Sequence, residues 1–185
     1  FIPLGQRRNK YKALFFIGGI FMFRQMRRFK QALSNEECTE ILQKNTSGIL
    51  AVSGDDDYPY AVPLSYVYSN SKLIFHCAPV GHKIDSINKN NKVSFCVIDK
   101  DEVIPEKYTT YFRSVILFGK ANIIKDDQTK REAIELLAAK YSPNDSEGRI
   151  TEINREFKQV CLVEVIVDHI TGKEAIELVK KKNSI

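Results

Sequence analysis

Six short runs rich in β-branched and aromatic residues constrain the fold of this chain more than any other feature. They are "SGILAVSG", "YAVPLSYVY", "KLIFHCA", "KVSFCVID", "YFRSVILFGKANII" and "CLVEVIVDHITGKEA", and clusters of Gly, Asp, Asn and Ser separate them. Runs of this kind predict β-strands. The connections "GDDDYP" and "SNSK" are of hairpin type, so we expect the first three strands to form an antiparallel meander.

Other segments carry the spacing of helices. Ser34 and Glu37 form a capping box before a short apolar repeat, which predicts a helix there. "GHKIDSINKNN" predicts a second short helix, "DDQTKREAIELLAAKYS" a third that Asp126 or Asp127 caps, and "SEGRITEINREFKQ" a fourth. The last strand is expected to run into the tail. Together the elements predict a mainly β (α+β) fold, a six-stranded antiparallel split β-barrel with peripheral helices.

The positive charge of the chain is confined to its amino-terminal part. The formal net charge is +5, but eight of the 28 basic residues and none of the 23 acidic residues precede position 31. Residues 31–185 therefore carry a net charge of −3. A slightly acidic body has no general attraction for phosphate backbones, so we expect no nucleic-acid partner.

Residues 1–21 differ from the rest of the chain. They join a basic stretch to the apolar run "ALFFIGGIFMF", which is too short to span a membrane and is not followed by a cleavage site. Gly-Gly-Ile-Phe before Met22 can be encoded by a ribosome-binding sequence upstream of a start codon. We therefore expect residues 1–21 to be a leader or expression-derived segment, residues 22–185 to form the domain, and no membrane attachment. Four widely spaced cysteines are typical of reduced thiols, which favours a cytoplasmic location.

The segment "FHCAPVGHK" holds two of the three histidines and one cysteine. Side chains alternate between the faces of a strand, so His76 and Cys77 are not expected to share a metal ion or to form a nucleophile and its base. Gly81, His82 and Lys83 instead come at the predicted start of a helix, where free amide groups and the helix dipole favour an anion. This pattern indicates a phosphate site or, alternatively, an ordinary helix cap.

A second polar step lies in "YFRSVILFGKA". Arg113 and Ser114 interrupt an otherwise apolar strand, and Arg113 is expected either to lie at the rim or to bind an anion. Tyr108, Tyr111 and Phe112 could stack on a planar ring or belong to the core.

These segments, in this order, closely resemble the 5-nitroimidazole-resistance (Nim) branch of the pyridoxamine 5'-phosphate oxidase-like flavoproteins. The resemblance begins at "MFRQMRRFKQALSNEECTEIL" and runs through "TGKEAIELVK". It implies a split-barrel homodimer with FMN sites at the subunit interface and a small nitroaromatic or other planar substrate.

The resemblance also nominates site residues. Gly81, His82 and Lys83 match the Ser-Arg-Lys step that grips the FMN phosphate in the oxidases, with only the lysine kept. The other positions implied to contact the flavin lie on three strands: Val62, Pro63, Leu64, Ser65, His76, Cys77, Arg113 and Ser114. His76 or His82 is the implied proton donor, and the sequence does not choose between them.

One departure from the family pattern bears on activity. True pyridoxamine phosphate oxidases carry a carboxy-terminal Arg-Leu-His-x-Arg type motif and a nearby tryptophan, whereas this chain has no Trp and ends in "DHITGKEAIELVKKKNSI". We therefore expect an FMN-dependent oxidoreductase of nitroreductase type rather than that oxidase. The alternative is a flavin-binding or flavin-sensing module without turnover, or a heme binder.

Overall fold

A computed structural model describes residues 23–184, and in this part of the chain seven strands form one antiparallel sheet with five α-helices around it. The strands are β1 (Ser47–Ser53), β2 (Pro59–Ser65), β3 (Val67–Ser69), β4 (Lys72–Cys77), β5 (Lys92–Ile104), β6 (Thr109–Ile123) and β7 (Cys161–Glu174). The helices are α1 (Asn35–Lys44), α2 (His82–Lys89), α3 (Asp127–Tyr141), α4 (Ser146–Glu156) and α5 (Ile176–Lys182). The mainly β class with peripheral helices is confirmed. The expected leader lies outside the described residues.

The predicted count of six strands is wrong because the second predicted strand breaks at Tyr66. Its first half, β2, pairs with β1, and its second half, β3, pairs with β4. The sheet order is β2-β1-β5-β6-β7-β4-β3, so one residue joins the two edge strands. Since consecutive Cα atoms are about 3.8 Å apart, the sheet must curl until its edges meet at Tyr66. Hydrogen bonds between strands do not close it into a barrel, and the expected meander is interrupted there.

The curled sheet encloses the main core. The inward-facing residues of this core include Leu50, Phe75, Phe95, Leu117 and Val163, none of which is exposed to solvent. Helices α1 and α2 add apolar residues to the same cluster, among them the Ile84 and Ile87 pair that the helical spacing predicted. Burial of these side chains supplies the main driving force for folding.

Helices α3 and α4 cover the other face of β3, β4 and β7. Ala133, Ile134 and Leu137 of α3 pack with Ile153 of α4 in a second, smaller apolar cluster that includes Ile74. Asp126 caps α3 by accepting a hydrogen bond from the amide of Thr129, at 2.8 Å. Successive residues of β4 therefore face two different cores. One lies inside the curled sheet, and the other lies under the helical hairpin that α3 and α4 form.

The ends of the chain show one confirmed element and one missed element. The capping box of α1 is present, with the amide of Ser34 donating to Glu37 and the amide of Glu37 donating to Ser34. The sequence pattern did not predict α5, which is seven residues long and has no side-chain hydrogen bond at its amino-terminal cap. It contacts the rest of the fold through Lys182, which lies 2.7 Å from a carboxylate oxygen of the buried Glu174.

Candidate functional site

His76 and Cys77 point to opposite faces of β4, as the alternation of strand side chains predicts. His76 faces the helical hairpin, where it lines a cavity of about 550 Å³ together with Ser65, Leu137, Tyr141 and Arg149. The His76 side chain keeps an exposed surface, and its partial burial lowers its pKa below the usual value, which favours the neutral imidazole. A neutral imidazole carries one N–H donor and one acceptor into this cavity.

Cys77 faces the interior of the curled sheet and lies opposite Cys161 of β7. Burial and the neighbouring Cys161 raise the pKa of the Cys77 thiol to about 11, although Lys83 acts in the opposite direction. The thiol is therefore protonated at neutral pH and is a poor nucleophile. His76 and Cys77 do not form a nucleophile and its base.

The start of α2 has the features of an anion site. Gly81, the amino-terminal cap residue, has φ +125°, a conformation that strains any residue with a Cβ. No heavy atom lies within 4 Å of the position that a Cβ would take, so the space beside this residue is open. The amides of Ile84 and Asp85 donate to the Gly81 carbonyl, at 2.9 and 3.1 Å. The two preceding amides, of His82 and Lys83, come before the first intrahelical hydrogen bond, where helix amides are free to bind anions.

His82 turns toward the connection between β1 and β2. Its ring stacks on Tyr60 with centroids 4.1 Å apart, and its Nε2 lies 3.6 Å from the carboxylate of Asp55. His82 is not among the residues that line the cavity with His76. The two histidines that the sequence offered as proton donors therefore have different surroundings.

The four candidate residues of β2 divide between two faces. Val62 and Leu64 pack against the main core, whereas Pro63 and Ser65 are exposed. Because β2 is an edge strand, its outer backbone edge is unpaired within the sheet. A ligand on this strand would meet that edge together with the side chains of Pro63 and Ser65.

Arg113 binds two carboxylates of its own chain. Its guanidinium donates to Glu174, at 2.9 and 3.1 Å, and lies 3.7 Å from Asp99. Glu174 is only 2% exposed, so its charge requires this partner. The acidic partners of Arg113 that the structure shows belong to its own chain, and the expectation that it binds an anionic ligand stays a prediction. No local pattern marked Glu174 or Asp99 as its partners.

The ion pairs of Arg113 belong to a larger network. Lys44 of α1 lies 2.7 Å from Asp99, and Lys182 of α5 contacts both Glu174 and Glu37. Burial acts to raise the pKa of Asp99, but hydrogen bonds from Lys44 and Asn45 outweigh it and hold that pKa below its usual value. The hydrogen bond from Lys182 likewise lowers the pKa of Glu37. The network ties α1, β5, β6, β7 and α5 together.

The outer face of β5 and β6 is apolar. Ile98, Ile116 and Phe118 are 55%, 39% and 36% exposed, and Ser114 lies on the same face, since it pairs with Ile98 across the two strands. Phe23 stacks on Phe118, with ring centroids 5.3 Å apart, and both residues line a cavity of about 810 Å³. Exposed apolar side chains that share one face of a sheet are a general feature of interaction surfaces.

Residues 23–184 contain neither a cluster of metal ligands nor a membrane-spanning helix. This part of the chain has no group of three or more His, Cys, Asp or Glu side chains that could hold a metal ion. It also has no helix long and apolar enough to cross a membrane.

Comparison with protein families gives one match that covers most of the chain. The sequence model described as pyridoxamine 5'-phosphate oxidase matches residues 34–174, from the cap of α1 to the end of β7. A curated relative, the uncharacterized protein RA0666 of Rhizobium meliloti (strain 1021), is 35% identical over 71 residues. These residues make up 38% of this chain and 46% of that protein, so the match spans about half of the relative's length.

Several solved structures share this fold. A candidate 5-nitroimidazole antibiotic resistance protein from Bacteroides thetaiotaomicron has a TM-score of 0.63 and 23% identity, over 77% of this chain and 86% of that one. An FAD-binding protein from Mesorhizobium loti has a TM-score of 0.57 and 26% identity, over 78% and 97%. An FAD and heme binding protein from Mycobacterium smegmatis has a TM-score of 0.66 and 20% identity, over 79% and 73%.

Proposed function

This chain belongs to the pyridoxamine 5'-phosphate oxidase family, and from that premise we propose that it is an FMN-binding oxidoreductase of the Nim type that reduces a nitroaromatic substrate. The observation that carries the proposal is the start of α2, where open space, free amides and Lys83 meet. The fold shared with a candidate 5-nitroimidazole resistance protein and with a flavin-binding relative supports it.

The phosphate of FMN would bind at the first turn of α2. Gly81 leaves room for the phosphate to approach the backbone, and the amides of His82 and Lys83 would donate to it. The Lys83 ammonium adds a charge-assisted hydrogen bond. The backbone conformation at Gly81 accounts for the departure from the serine of the oxidases, because a side chain at φ +125° is strained.

The flavin ring and the substrate would lie between β2 and the helical hairpin. Ser65 and His76 line one cavity, and Ile134, Leu137 and Ala138 give it an apolar wall that suits a planar ring. We assign the proton donor to His76 rather than to His82, because His76 lines this cavity and His82 does not; the protonated form of the His76 ring would be the donor. Bound FMN would supply the electrons for nitro reduction.

Arg113 and Ser114 would act from a different position. The charge of Arg113 is balanced by Glu174 and Asp99, which favours a role in holding β6 in place over direct contact with a phosphate. Ser114 lies on the apolar outer face, where a partner subunit could bring it to a flavin.

We propose that a second copy of the chain covers this outer face. Ile98, Ile116 and Phe118 are exposed on the same face of β5 and β6, and the same strands extend beyond the sheet as a two-stranded ribbon. An isolated ribbon of this kind is marginally stable in water, which favours its packing against a partner. A homodimer would bury both features.

The absorption spectrum of the purified protein tests the cofactor. Bands at about 370 and 450 nm, typical of an oxidised flavin, are expected. Mass spectrometry of the released chromophore should identify FMN rather than FAD. A Soret band would instead indicate heme. A colourless protein that does not bind added FMN would overturn the proposal.

Anaerobic turnover tests the reaction. The flavin is first reduced chemically, and a 5-nitroimidazole such as metronidazole is then added. Reoxidation of the flavin with loss of the nitro absorbance is expected. Tight FMN binding without reoxidation would replace the enzyme with a flavin-binding or flavin-sensing module. Because the chain lacks tryptophan and the Arg-Leu-His-x-Arg type motif, we expect no oxidation of pyridoxamine phosphate in the same preparation.

A further inference from the structure

Cys77 and Cys161 form a cross-strand pair at one end of the sheet. Cys77 is the last residue of β4, Cys161 is the first residue of β7, and the two are direct partners in the antiparallel ladder. Directly opposed residues have Cα atoms about 4.5 to 5.5 Å apart. A disulfide requires about 4.4 to 6.8 Å between Cα atoms, so the backbone of this ladder already meets that requirement.

The side chains of the pair also share one environment. Both sulfur atoms face the interior of the curled sheet, and both residues belong to its apolar cluster. The neighbouring Cys161 contributes to the raised pKa of the Cys77 thiol. Cys77 is half-buried while Cys161 is 8% exposed, so a soluble oxidant reaches Cys77 more easily.

The remaining cysteines have no such partner. All four cysteines lie within the described residues and are free thiols. Cys96 of β5 faces Ile49 and Ile116 across the two neighbouring ladders. Cys38 of α1 is buried against the backbone of Gly172. Register therefore distinguishes Cys77 and Cys161 from the other two thiols.

We propose that Cys77 and Cys161 form a redox-active dithiol that peroxide converts to an intrachain disulfide joining β4 to β7. This reaction lies outside the proposed nitro reduction and does not require a flavin. It would fasten the end of β4, four residues before Gly81, to the neighbouring strand.

The chemistry balances with hydrogen peroxide as the oxidant. The Cys77 thiol must first lose its proton, and because its pKa is raised to about 11 the thiolate is a minor population at neutral pH and a larger one in alkaline buffer. The thiolate sulfur attacks one peroxide oxygen, the O–O bond breaks, and the leaving hydroxide takes up a proton, so that a sulfenic acid and one water form. The Cys161 sulfur then attacks the Cys77 sulfur, so that the S–S bond forms, the S–O bond breaks and a second water leaves. Two thiols lose two electrons and two protons, and the peroxide receives them.

Peptide mapping of the intact chain tests the pairing. The reduced protein is treated with hydrogen peroxide, and its remaining thiols are alkylated under denaturing conditions before digestion. We expect a loss of about 2 Da, a fall from four alkylated cysteines to two, and a linked peptide pair that contains Cys77 and Cys161. Conversion of Cys77 to sulfinic acid with Cys161 unchanged, or a different linked pair, would overturn the proposal.

Serine variants provide the matched controls. Cys161→Ser should prevent the mass loss, while Cys96→Ser, which changes a half-buried thiol on another strand, should leave it intact. The cross-link restricts the unfolded chain over a long loop, so oxidation should raise the urea midpoint of the wild type and of Cys96→Ser. Equal midpoints before and after complete oxidation of the wild type would contradict a bond that fastens the two strands.

Discussion

Lys83 lies in the first turn of α2, where its own ammonium group and the helix dipole act in the same direction on an anion. It also influences the neighbouring Cys77, whose thiol pKa would be higher without this positive charge.

Replacement of Lys83 tests the proposed phosphate site. Lys83→Ala removes a charge-assisted hydrogen bond, and we expect the Kd for FMN to rise about 10- to 100-fold, as loss of about 1.5 to 3 kcal/mol requires. Flavin fluorescence titration measures this Kd. Lys89→Ala, in the last turn of the same helix, and Cys77→Ser should leave it unchanged. Equal weakening in Lys83→Ala and Cys77→Ser would mean that the site has been misplaced.

At the scale of elements, the carboxy-terminal end of α3 stabilises the chain at Tyr66, where β2 ends and β3 begins. The amide of Tyr66 donates to the Tyr141 hydroxyl at 2.9 Å, and that hydroxyl can donate in turn to the carbonyl of Thr46 or of Tyr66. Lys140 donates to the carbonyl of Asn45 and lies 4.3 Å from the Tyr66 ring centroid. Burial lowers the pKa of Lys140. One helix end therefore holds the residue at which the sheet curls.

Tyr141→Phe tests this role of α3. The substitution removes the hydroxyl and leaves the Tyr66 amide without that acceptor, so we expect a loss of about 1 to 2 kcal/mol in the free energy of unfolding. Urea denaturation measures the change. Tyr58→Phe, at a side chain that is 77% exposed, is the matched control and should have no effect. If Tyr141→Phe and Tyr58→Phe were equally stable, the Tyr141 hydroxyl would not stabilise the chain at Tyr66.

At the scale of the whole molecule, the ion-pair network predicts sensitivity to acid. The pKa of Asp99 is lower in the folded chain than in the unfolded one, so its stabilising contribution is complete above the unfolded value of about 3.9. As the pH falls below that value, the unfolded chain binds a proton that the folded chain does not. Stability is then lost as the pH approaches the folded pKa.

Asp99→Asn should reduce this acid dependence. The variant is expected to be less stable than the wild type at pH 7, because Lys44 and Arg113 lose a charged partner, and to lose less further stability between pH 5 and pH 3. Urea midpoints across this pH range measure both effects. Asp101→Asn, at an exposed carboxylate on the same strand, should keep the wild-type pH profile. A profile for Asp99→Asn that parallels the wild type would contradict the assignment.

The outer face of the sheet predicts the assembly state. Light scattering should give the wild type twice the mass of one chain, and Ile116→Asp should give a monomer that binds FMN more weakly if the flavin sites lie at the interface. Ile150→Asp changes an exposed apolar residue on α4 and should remain dimeric. A monomeric wild type would refute the proposed interface. Dissociation of both variants to monomers would show that the effect is not specific to this face.

The sequence by itself determined the elements whose signals are local. Runs of β-branched and aromatic residues located the strands, alternation of strand side chains separated His76 from Cys77, and the Ser34 and Glu37 capping box marked the start of α1. Each of these signals involves residues a few positions apart, so no knowledge of distant parts of the chain is needed. The seven-residue α5 lacked such a signal and was missed.

The tertiary structure decided how distant segments meet. The break at Tyr66, the binding of Arg113 to Glu174 and the pairing of Cys77 with Cys161 all depend on which strands pair and in which register. The register between strands that are far apart in sequence is set by packing of the whole sheet, so local propensity does not predict it. For the same reason, the sequence nominated both His76 and His82, while only the folded chain gave them different surroundings.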